Sequence, residues 1–352
     1  MGLNPAERQF QQRLKVVEAE LAAATPGFVL QAFRRGRLKM DVRWGRHYPY
    51  YDLASLTKII FTATVCARAV EAGQLNPRDL VSEHWSEFPF RQIRMEQLWT
   101  HTAGLPWWRP FYKKLKGSLK PESRWPQISR ELLRLKRQKS RRAVYSDPDL
   151  LVTSQVLQNI KQQNLLQIWQ ELACPEWTGR MHFNPGNKRR LAKDQYAPTE
   201  KCPWRKRVMH GQVHDENSFS LGGVAPHAGL FGRVEDVAQW GLVWRKSWQN
   251  GARGFLSAST ARQFTRRHTA ATVGDWGWLF MKPTAGHASC GRYFSSGSFG
   301  HTGFTGTSFW FDPRHDMMVV LLSNRVHPTR KNAAFLKWRP WLHDTACELL
   351  KR

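Results

Sequence analysis

The feature that most constrains the fold of this chain is the position of its strand-like segments, which lie near both ends of the sequence. Residues 27–33 and 38–44 have the pattern of strands, and Arg35-Gly36 between them is typical of a hairpin turn. Three further strands are predicted near the other end, at residues 276–281, 308–311 and 317–323. Residues 60–180 are mostly helical in pattern. This order favours one sheet that both chain ends build.

We therefore predict an α/β (α+β) protein with an antiparallel sheet, flanking helices and an inserted, mostly helical lobe. The expected organisation is a single domain over residues 1–352. Residues 1–60 and 211–352 would form the α/β lobe, and residues 61–210 the helical lobe with basic surface loops. Residues 175–210 are rich in Pro, Gly, Asn, Lys and Arg, which predicts a long surface loop. The predicted helices span residues 6–24, 55–72, 91–101, 126–138, 148–173, 234–248 and 331–350.

The chain is strongly basic, with a formal net charge of +27. Such a field attracts polyanions, so nucleic acid, anionic lipid and acidic glycans are all candidate partners. The most basic stretches are residues 113–142 and 188–207. The alternative is that both are solvated surface that keeps the protein soluble. Only the net charge favours nucleic acid, since no recognition motif for it is present.

The cysteines and the first residues of the sequence bear on the compartment. The 5 cysteines are scattered and odd in number, which argues against a disulfide framework and a cysteine zinc site. Reduced thiols fit a cytoplasmic protein. Residues 1–24 lack the apolar core of a secretory signal. The sequence contains no run of about 18 apolar residues, so no membrane span is predicted. We expect a cytoplasmic protein; an exported form would need a leader missing from this sequence or another route.

The sharpest chemical motif is Ser55-Leu56-Thr57-Lys58, at the start of the predicted helix 55–72. Backbone N–H groups and the positive end of the helix dipole would stabilise a developing alkoxide at Ser55. Lys58 lies three residues further on, on the same helix face. A partly desolvated lysine can be neutral and accept the serine proton. The alternative interpretation is a chance match, because four-residue patterns of this kind are common.

Two later segments carry compatible chemistry. Tyr145-Ser146-Asp147 precedes the predicted helix 148–173, and a tyrosine held near a lysine can relay a proton. Ser146 and Asp147 could also cap that helix, and a cap would fix the tyrosine. His301-Thr302-Gly303 and Phe304 follow a Ser- and Gly-rich stretch, where a backbone N–H could complete an oxyanion hole with that of Ser55. The alternative is a glycine-rich hairpin before a strand.

These elements stand in the order S-x-x-K, Tyr-x-Asp and x-Thr-Gly. That order resembles the serine β-lactamase and penicillin-binding protein superfamily. The similarity is closest to the class C-like branch of esterases, carboxypeptidases and cell-wall amidases, and it covers residues 27–350. Further similar stretches are residues 100–106, 214–217, 222–223, 227–231 and 321–325. The resemblance implies a β-lactamase/transpeptidase-like fold.

The resemblance also implies a role for each matching residue. Ser55 would be the acylated nucleophile and Lys58 its base partner. Tyr145 would be the second general acid or base. The backbone N–H groups of Ser55 and Phe304 would form the oxyanion hole.

Two positions depart from the pattern of the superfamily. His301, followed by Thr302 and Gly303 at the implied substrate-binding edge, stands where that pattern usually has lysine. The change removes a permanent cation that binds a substrate carboxylate. Asp147, also expected near the substrate, stands where β-lactam-active members often have asparagine. Both departures argue against a strong β-lactamase or a strict carboxypeptidase.

His214 and His227 match segments of the same branch, and we expect them to contact substrate or to hold loops by hydrogen bonds. A metal site would use His210, His214 and His227 with Asp215. We predict no metal, because these residues do not form a compact ligand motif. No cofactor is expected either.

The expected function is that of a Ser-Lys-Tyr acyl hydrolase that cleaves an amide or ester in a small molecule or peptide. Peptidoglycan fragments are the favoured substrates, and their acidic groups suit the basic surface. N-acetylmuramoyl-L-alanine amidase, D,D-carboxypeptidase, small-ester esterase and weak β-lactamase activities stay open. The alternative from another class is an inactive homologue that binds a polyanion or the cell wall.

Overall fold

The computed structural model describes residues 2–118 and 120–351. The outer bounds of the predicted domain, residues 1 and 352, lie outside the described residues. The strands are β1 (Gly27–Arg34), β2 (Arg37–Gly45), β3 (Tyr51–Asp52), β4 (Pro198–Cys202), β5 (Arg207–His210), β6 (Phe231–Gly232), β7 (Phe299–Thr302), β8 (Ser308–Asp312) and β9 (Met317–Ser323).

The main sheet has five antiparallel strands in the order β2-β1-β9-β8-β7. The first hairpin therefore pairs directly with the last strand of the chain, and Leu30 lies opposite Leu321. This confirms the predicted fold class and the sheet built from both chain ends. The assignment of lobes to residues 1–60, 61–210 and 211–352 stays a prediction.

Both faces of this sheet are buried, because side chains of successive strand residues point to opposite faces. In β9, Met318 and Val320 join one apolar cluster, whereas Met317 and Val319 join another. The first cluster continues into the helical part of the chain, and the second lies against the terminal helices. The helix and strand segments that carry the site are therefore attached to a continuous core.

Thirteen α-helices occur in the described part of the chain. Those at the two ends are α1 (Pro5–Val16), α2 (Glu18–Ala24), α11 (Val234–Asn250), α12 (Ala258–Thr265) and α13 (Phe335–Lys351). The others are α3 (Thr64–Glu71), α4 (Val81–His84), α5 (Met95–Trp99), α6 (Pro121–Leu133), α7 (Asp147–Lys161), α8 (Leu165–Leu172), α9 (Pro175–Thr178) and α10 (Glu216–Ser220). A π-helix over Lys58–Ala63 precedes α3.

The predicted surface loop over residues 175–210 is wrong. This segment holds β4 and β5, which pair with each other. Tyr196, Cys202 and Met209 are fully buried. Lysines and arginines separate these apolar residues so widely that neither helical nor strand periodicity is visible in the sequence.

The predicted strand at residues 276–281 is also wrong. Leu279 has a φ of +64° and the N–H of Gly277 bonds the carbonyl of Phe280 at 2.8 Å, so the segment turns back on itself. Two predicted helices are interrupted, at Val17 and at Gln162, whose φ is +52°. The predicted helix 55–72 begins as the π-helix, a form that is often found at functional sites.

The five cysteines carry free thiols. None of the helices formed by residues 2–118 and 120–351 combines the length and apolar character needed to cross a membrane.

Candidate active site

Ser55 follows the short strand β3 at a constrained turn and opens the helical segment. The preceding residue, Ala54, has a φ of +47°, which is unfavourable for a residue with a side chain. The carboxylate of Asp52 holds this turn by accepting the N–H groups of Ala54 (2.9 Å) and His214 (2.7 Å). The strained turn presents the half-buried Ser55 at the N-terminal end of a helix, where positive potential favours an anion.

Lys58 is almost fully buried and contacts Ser55 directly. Its ammonium group donates to Ser55 Oγ (2.9 Å) and to the carbonyl of His227 (3.1 Å), and it pairs with Asp147 Oδ1 (2.8 Å). Burial alone would lower the pKa of Lys58, but Asp147 and then Tyr145 raise it above its ordinary value. Lys58 is therefore a cation in the resting site. The sequence-based expectation of a neutral Lys58 did not take the carboxylate of Asp147 into account.

Tyr145 lies on the other side of the serine. Its hydroxyl donates to Ser55 Oγ at 2.9 Å, and Lys58 Nζ lies 5.0 Å from the centre of its ring. Desolvation raises the pKa of Tyr145, and the neighbouring Lys58 cation opposes the rise. The structure thus brings together the three residues that the sequence singled out, with two donors converging on one serine oxygen.

A buried pair positions Tyr145 from behind. His101 Nδ1 lies 2.9 Å from a carboxyl oxygen of Asp149 and 3.2 Å from the N–H of Ser146. Burial raises the pKa of Asp149 and lowers that of His101, which favours the neutral form of both groups. Trp276 stacks on the Tyr145 ring at 5.7 Å. These contacts fix the phenol without adding a charge to the site.

His301 is buried beside Tyr145, with ring centres 5.8 Å apart. Its Nδ1 donates to the carbonyl of Thr302 at 2.8 Å. Burial, and then the charge of Lys58, lowers the pKa of His301 to about 3. His301 is therefore neutral, and neither it nor Thr302 lines the cavity above Ser55. Their predicted contact with substrate stays a prediction.

The turn over residues 303–307 is fastened to the segment before Ser55. The hydroxyl of Thr305 donates to the carbonyl of Asp52 (2.8 Å), and that of Thr307 donates to the carbonyl of Leu53 (3.0 Å). Gly303 lies so close that an added Cβ would come within 2.8 Å of the Leu53 carbonyl. Among the described residues, nothing accepts the N–H of Phe304 or that of Ser55. Both groups are free to bind an oxyanion.

Ser55 opens into a cavity of about 380 Å³. Its aromatic walls are Trp107, Trp108, Tyr145 and Phe304. Its polar lining residues are Asp147, His214, Asp215, Glu216, His227 and Arg330. The cavity therefore combines an activated serine with aromatic faces and several carboxylates.

His214 and His227 both line this cavity, and each is held by a carboxylate. His214 pairs with Glu200 at 2.8 Å and stacks on Phe304. His227 pairs with Asp215 at 3.1 Å. Loop fixation by hydrogen bonds, one of the two expected roles, agrees with this geometry.

The four residues first considered for a metal do not meet, because His210 bonds the carbonyl of Tyr196 and His214 bonds Glu200. A different set does: Asp147, Asp215 and His227 have potential ligand atoms within 4.8 Å of one another. The ammonium group of Lys58 already lies 2.8 Å from Asp147 and neutralises it. A second set, Asp79, Glu83 and His84, lies away from the cavity.

Sequence reasoning missed several parts of this site. Arg330 pairs with both Glu200 and Glu216, and its position gave no signal. Glu200 fell within the supposed surface loop. Trp107 and Trp108 directly follow the stretch 100–106, which could have drawn attention to them.

The fold and this cluster define the class of protein: it is a serine hydrolase. The family model described as Beta-lactamase matches residues 7–338, and the chain belongs to the beta-lactamase family. A protein of Escherichia coli O157:H7 named "Putative D-alanyl-D-alanine carboxypeptidase" is 30% identical over 358 residues, which cover 88% of this chain and 81% of that protein.

Solved structures with the same fold include EstCE1, "a hydrolase with promiscuous acyltransferase activity". It is 18% identical with a TM-score of 0.66, and the match covers 96% of this chain and all of that one. A penicillin-binding protein homologue from Caulobacter crescentus is 15% identical with a TM-score of 0.69, covering 96% of this chain and 97% of that one. These likenesses confirm the β-lactamase-like fold.

Proposed function

We propose that this chain hydrolyses an amide or ester through an acyl-enzyme formed on Ser55. The observation that carries the proposal is the pair of hydrogen bonds to Ser55 Oγ, from Lys58 Nζ and from the hydroxyl of Tyr145, each 2.9 Å long. A homologue that only bound a ligand would need neither the buried cation nor the phenol at this oxygen. Their convergence at the floor of a cavity favours catalysis.

In the resting site Lys58 and Tyr145 both donate a hydrogen bond to Ser55 Oγ, so neither can accept the serine proton. Acylation therefore requires that this cluster first lose one proton. When Tyr145 is deprotonated beside the Lys58 cation, its phenolate accepts the Ser55 proton as Oγ attacks the substrate carbonyl. The N–H groups of Ser55 and Phe304 stabilise the oxyanion. The bond to the leaving group then breaks, and that group departs with the proton from Tyr145.

Deacylation runs through the same residues. A water molecule gives a proton to Tyr145 as its oxygen attacks the ester carbonyl at Ser55. The ester bond breaks, Ser55 recovers its proton from Tyr145, and the acid product leaves. Lys58 stays cationic throughout and favours the phenolate by its charge.

The substrate class that fits best is a peptide amide of the bacterial cell wall, such as a muropeptide. The name of the Escherichia coli relative refers to a peptidase of D-alanyl-D-alanine. A cavity of about 380 Å³ lies within the usual size range of small-molecule sites. Ester substrates remain chemically accessible, since the same acyl-enzyme forms from them.

The test is covalent labelling with a fluorescent phosphonate, read by intact mass. The wild type should gain one adduct and Ser55→Ala none. Muropeptides incubated with the wild type and analysed by mass spectrometry should reveal the bond that is cleaved. Absence of both labelling and ester hydrolysis would contradict the enzymatic proposal.

A further inference from the structure

Among the described residues, the cavity above Ser55 offers a substrate no unpaired lysine or arginine. Arg330, the one Lys or Arg among the described lining residues, is paired with Glu200 and Glu216. Lys58, behind Ser55, is paired with Asp147. A substrate carboxylate would therefore meet no unpaired positive charge close to the reacting serine.

Asp215 is the carboxylate in this cavity with the least compensation. It accepts the N–H of Ser218 at 2.7 Å and pairs with the imidazole of His227 at 3.1 Å. Within the described residues it has no Lys or Arg partner. Burial alone would raise the pKa of Asp215, but His227 lowers it below its usual range, so the group is ionised at neutral pH.

The surroundings of Asp215 also favour a cationic ligand. His227 is 1% exposed and lines the cavity, and its Nδ1 has no partner among the described residues. Trp107 is 65% exposed and stacks on Trp108 with ring centres 5.8 Å apart. Exposed indole faces near a carboxylate are typical of sites for ammonium groups.

This arrangement adjoins the reacting atoms. Potential ligand atoms of Asp215, Asp147 and His227 lie within 4.8 Å of one another. Asp147 contacts Lys58 at 2.8 Å, and Lys58 contacts Ser55 at 2.9 Å. A group bound at Asp215 is therefore only a few atoms away from the carbonyl that Ser55 attacks.

We propose that the cavity selects substrates in which a primary ammonium group lies next to the reacting carbonyl, with Asp215 as its binding partner and Trp107 and Trp108 as its walls. The substrates are amino-acid amides and short peptides with a free N-terminal amine on the acyl residue. Among cell-wall peptides, these are fragments already released from the sugar, not intact muropeptides. This inference rests on the proposed function, since it names the acyl group that Ser55 would receive.

The test compares alanine p-nitroanilide with its N-acetyl derivative, each in the D and L forms. We expect the wild type to prefer the free amine in kcat/KM by about tenfold or more, the weight of one charge-assisted contact. Asp215→Asn keeps an oxygen for the Ser218 N–H, and it should remove this preference, measured as the ratio of kcat/KM for the free amine to kcat/KM for the N-acetyl form. Glu171→Gln, the same chemical change at an exposed site, should keep the preference.

Two further measurements keep the inference falsifiable. Alanine amide should slow phosphonate labelling of Ser55 more than N-acetylalanine amide does, whether or not the anilides are cleaved. If Asp215→Asn does not fold, Trp107→Leu at an exposed position should reduce the same preference. Labelling that both amides slow equally, or a preference for the N-acetyl form, would overturn the inference alone. Absence of any labelling would overturn the acyl-enzyme proposal instead.

Discussion

The cavity above Ser55 and the outer surface of this molecule carry opposite charge patterns. The chain has a net charge of +27, and most lysines and arginines of residues 113–142 and 188–207 are exposed. The cavity instead presents Asp147, Asp215 and Glu216, and the cations near them are already paired. Surface charges are screened by salt, whereas buried ones act strongly at short range.

The outer surface and the cavity therefore have different roles in binding, which the net charge alone does not distinguish. The basic surface determines which acidic macromolecule the protein approaches. The cavity determines which chemical group of a substrate can reach Ser55. The sequence-based idea that acidic muropeptides suit the positive charge therefore applies to the outer surface only.

The largest effect is expected inside the cavity, from Ser55→Ala. Hydrolysis of a generic ester should fall to the uncatalysed rate, because the variant lacks the proposed acyl acceptor. Ser86→Ala, the same change at an exposed serine, should leave the rate unaltered. Initial rates with p-nitrophenyl acetate measure both. Substantial activity in Ser55→Ala would place the chemistry elsewhere.

The next largest effect is expected from Tyr145→Phe. The ring can keep its stacking on Trp276, but the proton relay is lost, so kcat/KM should fall by about 100-fold or more. Tyr293→Phe at a less buried site is the matched control. A fall in kcat/KM of less than about threefold would assign the relay to another group.

A change in pH dependence is expected from Asp147→Asn. Burial, and then the charge of Asp147, raises the pKa of Tyr145, and the rate should rise with pH as the phenolate of Tyr145 forms. Without the carboxylate, the Lys58 cation lowers the pKa of Tyr145 with less opposition, and the rising limb of kcat/KM should move to lower pH by about one unit or more. An unchanged or alkaline-shifted profile would contradict the ion pair's role.

The smallest effect is expected outside the cavity, from the double variant Arg141→Gln and Arg142→Gln. Both residues are exposed, so kcat/KM for a small neutral ester should change by less than about twofold. Affinity for an acidic polymer, followed by its salt dependence, should weaken slightly. A large loss of ester hydrolysis would show that the two regions are coupled.

The sequence predicted the parts of this molecule that local patterns encode. The strand at 317–323 was predicted with the bounds it has, because its apolar run is continuous. Ser55 and Lys58 were found because both lie within one helical turn. Tyr145 was found only through its order relative to that motif.

The remaining parts depend on contacts between distant segments. The charge of Lys58 could not be inferred from its own neighbours, because Asp147 lies far along the chain and sets it through space. Arg330 and Glu200 meet across 130 positions, and neither lies in a recognisable motif. The prediction of a strand at 276–281 was wrong because Leu279 adopts a left-handed backbone conformation, which is unusual for leucine and cannot be inferred from the sequence.

The central claim is that Ser55 receives the acyl group, and the most direct test is to locate a trapped acyl-enzyme. The protein would be mixed with an activated ester, quenched in acid after milliseconds to seconds, digested and analysed by mass spectrometry. We expect one acyl adduct, on the peptide that contains Ser55, and its loss in Ser55→Ala. An adduct on any other residue that disappears at the rate of turnover would contradict it.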